Sequence, residues 1–234
     1  MKHAVGHQPS ALGHQERLAW LALLPVLSTI LYYALPADLR QFWLIQFAPQ
    51  LLGYLGLAIW ANQNPEPLAK LGLSPSLLGQ GLRWGLPTGL VLGAVNVSVI
   101  LWLIPLLGGT IDFLRDTPHA KAPPLVMLPW AILLIAIGVE LNFRGFLLGR
   151  LLALGSGSSL PRRLRASLAV GGSALVFSFD PFMTATFKHL HWIALWDGMV
   201  WGVLWLAFRN LWATIVAHAG EVVIMYSVLK IVLE

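Results

Sequence analysis

The sequence is organised around the stretch Gly138–Gly145, which reads Gly-Val-Glu-Leu-Asn-Phe-Arg-Gly and follows the apolar run Leu125–Ile137. Glu140 and Arg144 are four residues apart, so on a helix their side chains share one face and can pair. A charge deep in a bilayer costs about 3 kcal/mol or more, so membrane helices rarely keep one without a partner or a role. The residues alone leave two interpretations: a functional polar site, or the cytoplasmic end of a membrane helix with Arg144 reaching to the headgroups.

The composition is that of a membrane protein. Of 234 residues, 57% are hydrophobic and only 11% are charged, whereas soluble domains carry about 25% charged residues. The apolar residues form long continuous blocks and not short alternating segments, which favours helices over a β-barrel. We therefore predict an all-α fold, a polytopic membrane helix bundle of about seven transmembrane helices, with about six to eight as the range.

The charge pattern indicates topology. The formal net charge is +5, but the basic residues flank hydrophobic blocks, so we expect the lipid bilayer as a partner and no nucleic acid. If the N-terminus is cytoplasmic, ten of the 15 Lys and Arg residues face the cytoplasm, as the positive-inside rule requires. The predicted location is a bacterial-type inner or plasma membrane. The absence of cysteine excludes disulfides, thiolate metal sites and a cysteine nucleophile.

A polar N-terminal tail, 1–17, is predicted to precede a single transmembrane domain, 18–234. Scattered histidines in the tail are interpreted as solvated side chains and not as a metal site. The predicted spans are Leu18–Leu35, Phe42–Trp60, Leu86–Leu107, Leu125 to about Phe143, Leu168–Phe179 with an interruption at Asp180 and Pro181, Trp192–Phe208 and Leu211–Leu233. In the second span, Trp43, Tyr54 and Trp60 are candidate interfacial anchors.

Glycine recurs in two of these spans. Gly85, Gly89 and Gly93 follow at four-residue intervals in the third span, and Gly198 and Gly202 form a similar pair in the sixth. A helix face without side chains predicts close approach by a neighbouring helix.

Ionisable residues inside the spans predict one polar cavity in the bundle. They are Glu140 with Arg144, Asp180, and His218 with Glu221. A carboxylate beside a histidine is the minimal acid–base pair for hydrolysis, but a polar network of purely structural role would use the same residues. Asp197, in the first turns of the sixth span, is interpreted as interfacial.

Several of these segments resemble the CPBP family, the CAAX-protease and bacteriocin-processing group that includes type II CAAX prenyl endopeptidases and Abi immunity proteins. Val139–Gly145 resembles its first motif, usually Glu-Glu-x-x-x-Arg. The glycine-rich Gly198–Gly202 and the helix Asn210–Ala219 with His218 are similar to the family's later segments. The resemblance covers about residues 71–229. It implies a membrane-helix bundle and a peptidase that cuts a membrane-proximal, prenylated or leader-bearing peptide with a glutamate-activated water.

Three positions depart from the family motifs. Val139 stands in place of the first glutamate, Pro181 in place of the second-motif histidine, and Val222 in place of the third-motif asparagine. Loss of a general base typically slows a reaction about 10²–10⁴-fold. His191 ends a second Phe-x-x-x-His match and is a weak substitute; we expect it to be interfacial, together with His189.

The resemblance leaves two main hypotheses. In the first, the protein is an endopeptidase in which Glu140 is the general base, Arg144 orients it and His218 transfers protons or stabilises the oxyanion. Asp180 or Glu221 would supply the missing groups. In the second, the protein is a catalytically inactive bundle that serves as a binding, assembly or immunity subunit of a larger membrane complex.

Other functions receive less support from the sequence. A small proton-coupled transporter would use buried carboxylates, but no inverted repeat favours it. No cofactor is expected. A metal ion held by His218, Glu140 and Glu221 is conceivable, but no metal-ligand spacing signature supports it.

Overall fold

The computed structural model describes residues 16–233. Within that range the chain is helical and has no strand, which confirms the predicted all-α membrane bundle. The tail histidines, interpreted from the sequence as solvated side chains, lie in 1–15, outside the described residues.

Within residues 16–233, eight principal helices form the bundle. They are α1 Leu24–Ala34, α2 Trp43–Gln63, α3 Leu78–Ser98, α4 Ile132–Glu140, α5 Arg162–Ser178, α6 Pro181–Phe187, α7 Ile193–Phe208 and α8 Leu211–Leu233. Further segments extend some of them: Ala19–Leu23 leads into α1, Val99–Leu103 and Ile104–Leu106 continue α3, and Leu141–Leu148 and Gly149–Leu154 continue α4. Short helical turns occupy the connections at Leu39–Gln41, Pro67–Leu71, Pro75–Leu77, Asp112–Asp116, Pro118–Lys121, Pro124–Val126, Met127–Ala131, Gly155–Gly157 and Lys188–Leu190.

Four stretches of the described chain are long and apolar enough to cross a membrane. They are Trp43–Gln63, Pro67–Leu106, Ile132–Gly157 and Leu211–Leu233. A fifth candidate span consists of α5 and Pro181–Leu190, which meet at a bend of 54°. The bend lies at Asp180 and Pro181, where the sequence predicted an interruption of the span. Ala19–Ala34 and α7 are apolar but shorter. The chain is thus an integral membrane protein, and a total of seven spans stays a prediction.

The aromatic anchors of α2 do not all lie at the surface. Trp43 is 65% exposed, whereas Trp60 is completely buried, so the interfacial interpretation of Trp60 is wrong. The reason is a cation from another helix: the Arg150 guanidinium carbon lies 4.0 Å from the centre of the Trp60 ring. A desolvated contact of this kind stabilises a fold by about 2 kcal/mol.

The same arginine fixes the segment that precedes α1. Arg150 Nε lies 2.6 Å from Glu16 Oε2, and both side chains are almost entirely buried. The Asn64 side chain holds the next residue, because its Oδ1 accepts from the Arg17 N–H at 3.1 Å and its Nδ2 donates to the Arg17 carbonyl at 2.9 Å. Residues 16–17 are therefore packed onto α2 and the continuation of α4.

The glycine stripe of α3 lies directly against α8, as its spacing predicted. A Cβ atom on Gly89 would lie 3.1 Å from Cα and 3.0 Å from the carbonyl carbon of Ala217. Neighbouring glycines contact the same helix, since a Cβ on Gly93 would meet the Glu221 carbonyl oxygen at 3.1 Å. Close backbone approach therefore sets the distance of α3 from the helix that carries His218.

We predict that Gly89→Ala destabilises the protein because the added methyl group would overlap the α8 backbone, which cannot move aside as a flexible side chain can. Overpacking of this kind typically lowers the free energy of unfolding by about 1–3 kcal/mol. Chemical unfolding in detergent micelles measures it. Gly79→Ala in the same helix is the matched control, since no atom lies within 4 Å of its added Cβ. Equal stability of the two variants would contradict the close approach of α3 and α8.

Candidate active site

Glu140 and His218 meet inside the bundle. Glu140 Oε1 lies 3.0 Å from His218 Nδ1. Glu140 has no exposed surface, and His218 is 6% exposed. This contact joins the end of α4 to the middle of α8, so the structure brings together two of the predicted site residues.

Arg144 holds the other side of Glu140. Its Nη1 lies 3.2 Å from Glu140 Oε1, and both side chains are fully buried. The guanidinium carbon also lies 4.6 Å from the Phe177 ring centre and 4.7 Å from that of Trp201. Because arginine stays protonated in proteins, the adjacent carboxylate is ionised and can only accept a hydrogen bond. His218 Nδ1 is therefore the donor to Glu140, and Nε2 is the ring nitrogen outside this contact.

Packing fixes the imidazole plane. The His218 ring stacks on Trp201, with centroids 4.2 Å apart and planes 18° from parallel. Trp201 thus lies against both the imidazole and the Arg144 guanidinium, and it belongs to the helix that carries Asp197. A ring held by a hydrogen bond and by stacking has one orientation, as acid–base chemistry requires.

Local backbone features make room for this arrangement. After Glu140 the helix continues through Leu141–Leu148 in wider π-helical turns, a form that is frequent at functional sites. A Cβ on Gly198 would lie 3.0 Å from Ala174 Cα and 3.1 Å from Arg144 Nη2. Only glycine at 198 lets α7 approach α5 and leaves space for the guanidinium.

A cavity of about 720 Å³ adjoins the pair. His218 and Trp201 are part of its wall, as are Val139 and Val222. Glu140 is not in the wall, so it contacts the cavity through His218. Most of the lining is apolar. The helical turn Pro118–Lys121, in the connection between α3 and α4, contributes His119, whose pKa is lowered by burial.

Asp197 lies in the interior, and its interfacial interpretation is wrong. It is 4% exposed. The Asn96 Nδ2 group donates to Asp197 Oδ1 at 3.1 Å and to Glu221 Oε1 at 2.7 Å, and Asn96 Oδ1 accepts from Trp196 Nε1 at 2.9 Å. The first turns of α7 face α3 and α8, and the partner amide on α3 makes burial of Asp197 possible.

Asn96 is the residue of this cluster that sequence reasoning missed. It follows Gly89 and Gly93 at helical spacing, so it lies on the face of α3 that packs against α8. An uncharged amide in an apolar span is a weak signal. Its position on a glycine stripe would have marked it as a residue that faces another helix.

Asp180 is placed elsewhere. Its Oδ1 accepts from the Phe182 N–H at 3.0 Å and from Gln50 Nε2 at 3.0 Å. It therefore caps the N-terminus of α6 and ties it to α2, outside the contact of Glu140 with His218.

His191 also lies outside that contact. Its ring centre is 5.2 Å from that of Phe179, and its Nδ1 donates to the Lys188 carbonyl at 2.6 Å. His189 is exposed.

The three residues of the conceivable metal site, His218, Glu140 and Glu221, do not form a metal-binding group in the described part of the chain. Across residues 16–233, no group of three or more His, Asp or Glu side chains is placed to hold a metal ion. Glu140 and His218 are together, but Glu221 accepts its hydrogen bond from Asn96.

We predict that Glu140→Gln lowers the free energy of unfolding by about 3–5 kcal/mol, because it leaves the buried Arg144 charge without its counter-ion. The double variant Glu140→Gln/Arg144→Met removes both charges, so it should lose less stability than Glu140→Gln alone. Unfolding of both variants in detergent measures the difference. If the double variant were as destabilised as the sum of the two single variants, the buried ion pair would be refuted.

The comparison with known proteins agrees with the motifs. Residues 121–224 match the family model described as type II CAAX prenyl endopeptidase Rce1-like. The matched range contains Glu140, Arg144, Asp197, His218 and Glu221. A search of curated proteins found no match to this chain, and a search of solved structures found none either. Over residues 121–224 the chain is therefore similar to the type II CAAX prenyl endopeptidases of the CPBP family, as its motifs predicted.

Proposed function

We propose that the protein is an intramembrane endopeptidase of the CAAX-protease type that cuts a membrane-proximal peptide. The observation that carries the proposal is the 3.0 Å contact between Glu140 and a His218 ring that lines the cavity. A carboxylate that accepts from Nδ1 leaves Nε2 as a base on the cavity side, the arrangement by which hydrolases activate a nucleophile.

The residues take roles that follow from their positions. His218 Nε2 removes a proton from a water molecule as the water attacks the peptide carbonyl. Glu140 stabilises the imidazolium that forms, and His218 then returns the proton to the leaving amine. Arg144 holds Glu140 in place. Because Glu140 is behind the cavity wall, it acts through His218 and is a positioning residue in this scheme. The step uses these side chains and water, without a cofactor.

The proposed substrate is a prenylated or leader-bearing peptide that reaches the cavity from the membrane. The mostly apolar lining suits such a segment, and the resemblance to CAAX endopeptidases supports it. The excess of basic residues on one side supports a cytoplasmic N-terminus in a bacterial-type inner or plasma membrane. No nucleic acid takes part.

The test uses the full chain in lipid nanodiscs with two probes, a farnesylated CAAX peptide and a leader-bearing peptide, each carrying a fluorophore and a quencher. We expect cleavage by the wild type and a loss of about 10²–10⁴-fold in His218→Ala, as for removal of a general base. His189→Ala is the matched control, since this exposed histidine is outside the site. Cleavage by His218→Ala at the wild-type rate would reject the proposal.

One observation favours the alternative of an inactive bundle that serves in a membrane complex. Val139 and Val222, which replace a glutamate and an asparagine of the family motifs, both line the cavity. A wild-type protein that cleaves neither probe, yet co-purifies in equal amount with a membrane partner that His218→Ala also retains, would favour this alternative.

A further inference from the structure

Two carboxyl groups lie side by side on the cavity wall. Asp197 on α7 and Glu221 on α8 both line the cavity, and both accept from the single Nδ2 group of Asn96. Asp197 is bound through both of its oxygens, at 3.1 Å and 3.2 Å. Glu221 Oε2 is buried and accepts no hydrogen bond from an N–H or O–H group in the described part of the chain. It can therefore take part in holding a proton or a hydrogen bond from a molecule in the cavity.

The groups around Asp197 and Glu221 do not supply enough positive charge to neutralise two ionised carboxylates. Arg144 is the cation whose charge acts on both, but its ion pair is with Glu140 and neither Asp197 nor Glu221 is within 4.0 Å of it. His218 donates to Glu140, and Asn96 and Trp196 are uncharged. Two neighbouring carboxyl groups in an apolar interior are not both ionised, because their negative charges repel each other. Such a pair keeps one proton between its two members.

We propose that Asp197 and Glu221 share one proton and deliver it to the carbonyl oxygen of the scissile peptide. This inference rests on the proposed endopeptidase function and adds the general acid to it. Glu221 is three residues after His218, so both side chains lie on the same face of α8 and can contact one bound substrate. The base and the acid of the reaction then come from neighbouring positions on a single helix.

The protons balance through the reaction. As the water oxygen bonds to the carbonyl carbon, one water proton passes to His218 Nε2. The carbonyl π electrons move to oxygen, which takes the proton of the pair and forms a neutral tetrahedral diol. The diol then returns that proton to the pair as the C–N bond breaks. His218 gives its proton to the departing nitrogen, which restores both groups and releases a carboxylic acid and an amine.

The first arm of the test needs no substrate. Infrared spectroscopy of the wild type at mildly alkaline pH should show the carbonyl stretch of a protonated carboxyl group. We expect the band to disappear in Asp197→Asn/Glu221→Gln and to change in each single variant, which covers the case of a double variant that does not fold. Asp180 is a buried carboxyl group outside the pair that caps α6, so Asp180→Asn should leave the band intact. A missing band, or a band unaffected by changes at 197 and 221, overturns the shared proton.

The second arm measures cleavage of the farnesylated and leader-bearing probes. Loss of a group that stabilises the developing oxyanion typically lowers kcat about 10²–10³-fold, so Glu221→Gln and Asp197→Asn should lower kcat by that factor with little change in KM. A structural role would instead lower the unfolding midpoint without this selective loss of kcat. If both variants cleave normally while His218→Ala is inactive, the endopeptidase function stands and the acid role is refuted. If the wild type cleaves neither probe, the proposed function fails and the acid role with it, while the infrared band still decides the shared proton.

Discussion

The buried charge of Arg144 is the constraint on which the rest of the bundle depends. An arginine without exposed surface cannot lose its proton, so the surrounding helices have to supply its stabilisation. Glu140 supplies the counter-charge from its own helix, and Phe177 and Trp201 supply aromatic faces from α5 and α7. The narrow approach of α7 to α5 at Gly198 follows from this requirement, because a larger residue would occupy the space of the guanidinium.

The same pair determines what chemistry the cavity can have. Glu140 forms an ion pair with Arg144 and a hydrogen bond with His218. These contacts hold it away from the cavity, so it acts through the imidazole. With valines at 139 and 222, the cavity wall lacks the family's usual polar groups at those positions. His218 and the carboxyl pair that Asn96 holds together are ionisable groups that do lie on this wall. If the protein hydrolyses peptides, these groups do so in an arrangement different from the family's motif pattern.

Local spacing made part of this site predictable. The Glu140 and Arg144 pair follows from an i,i+4 relation, and the approach of α3 to α8 follows from glycines four residues apart. The contact of His218 with Glu140 was expected because isolated ionisable groups in apolar spans need partners. Other long-range partners were not predictable. Trp60 is interior because Arg150 lies over its ring, and Asp197 is interior because Asn96, 101 residues earlier, reaches it. Neither pairing leaves a periodic signal in the sequence.

The central claim is that Glu140 holds the His218 ring with its proton on Nδ1 and leaves Nε2 as a base. Nitrogen NMR of the protein labelled with ¹⁵N-histidine measures this directly, with the His218 signals identified by their absence in His218→Asn. We expect the His218 proton on Nδ1 in the wild type and a mixture of the two tautomers in Glu140→Gln. A ring protonated at Nε2 in the wild type, unchanged by Glu140→Gln, would contradict it.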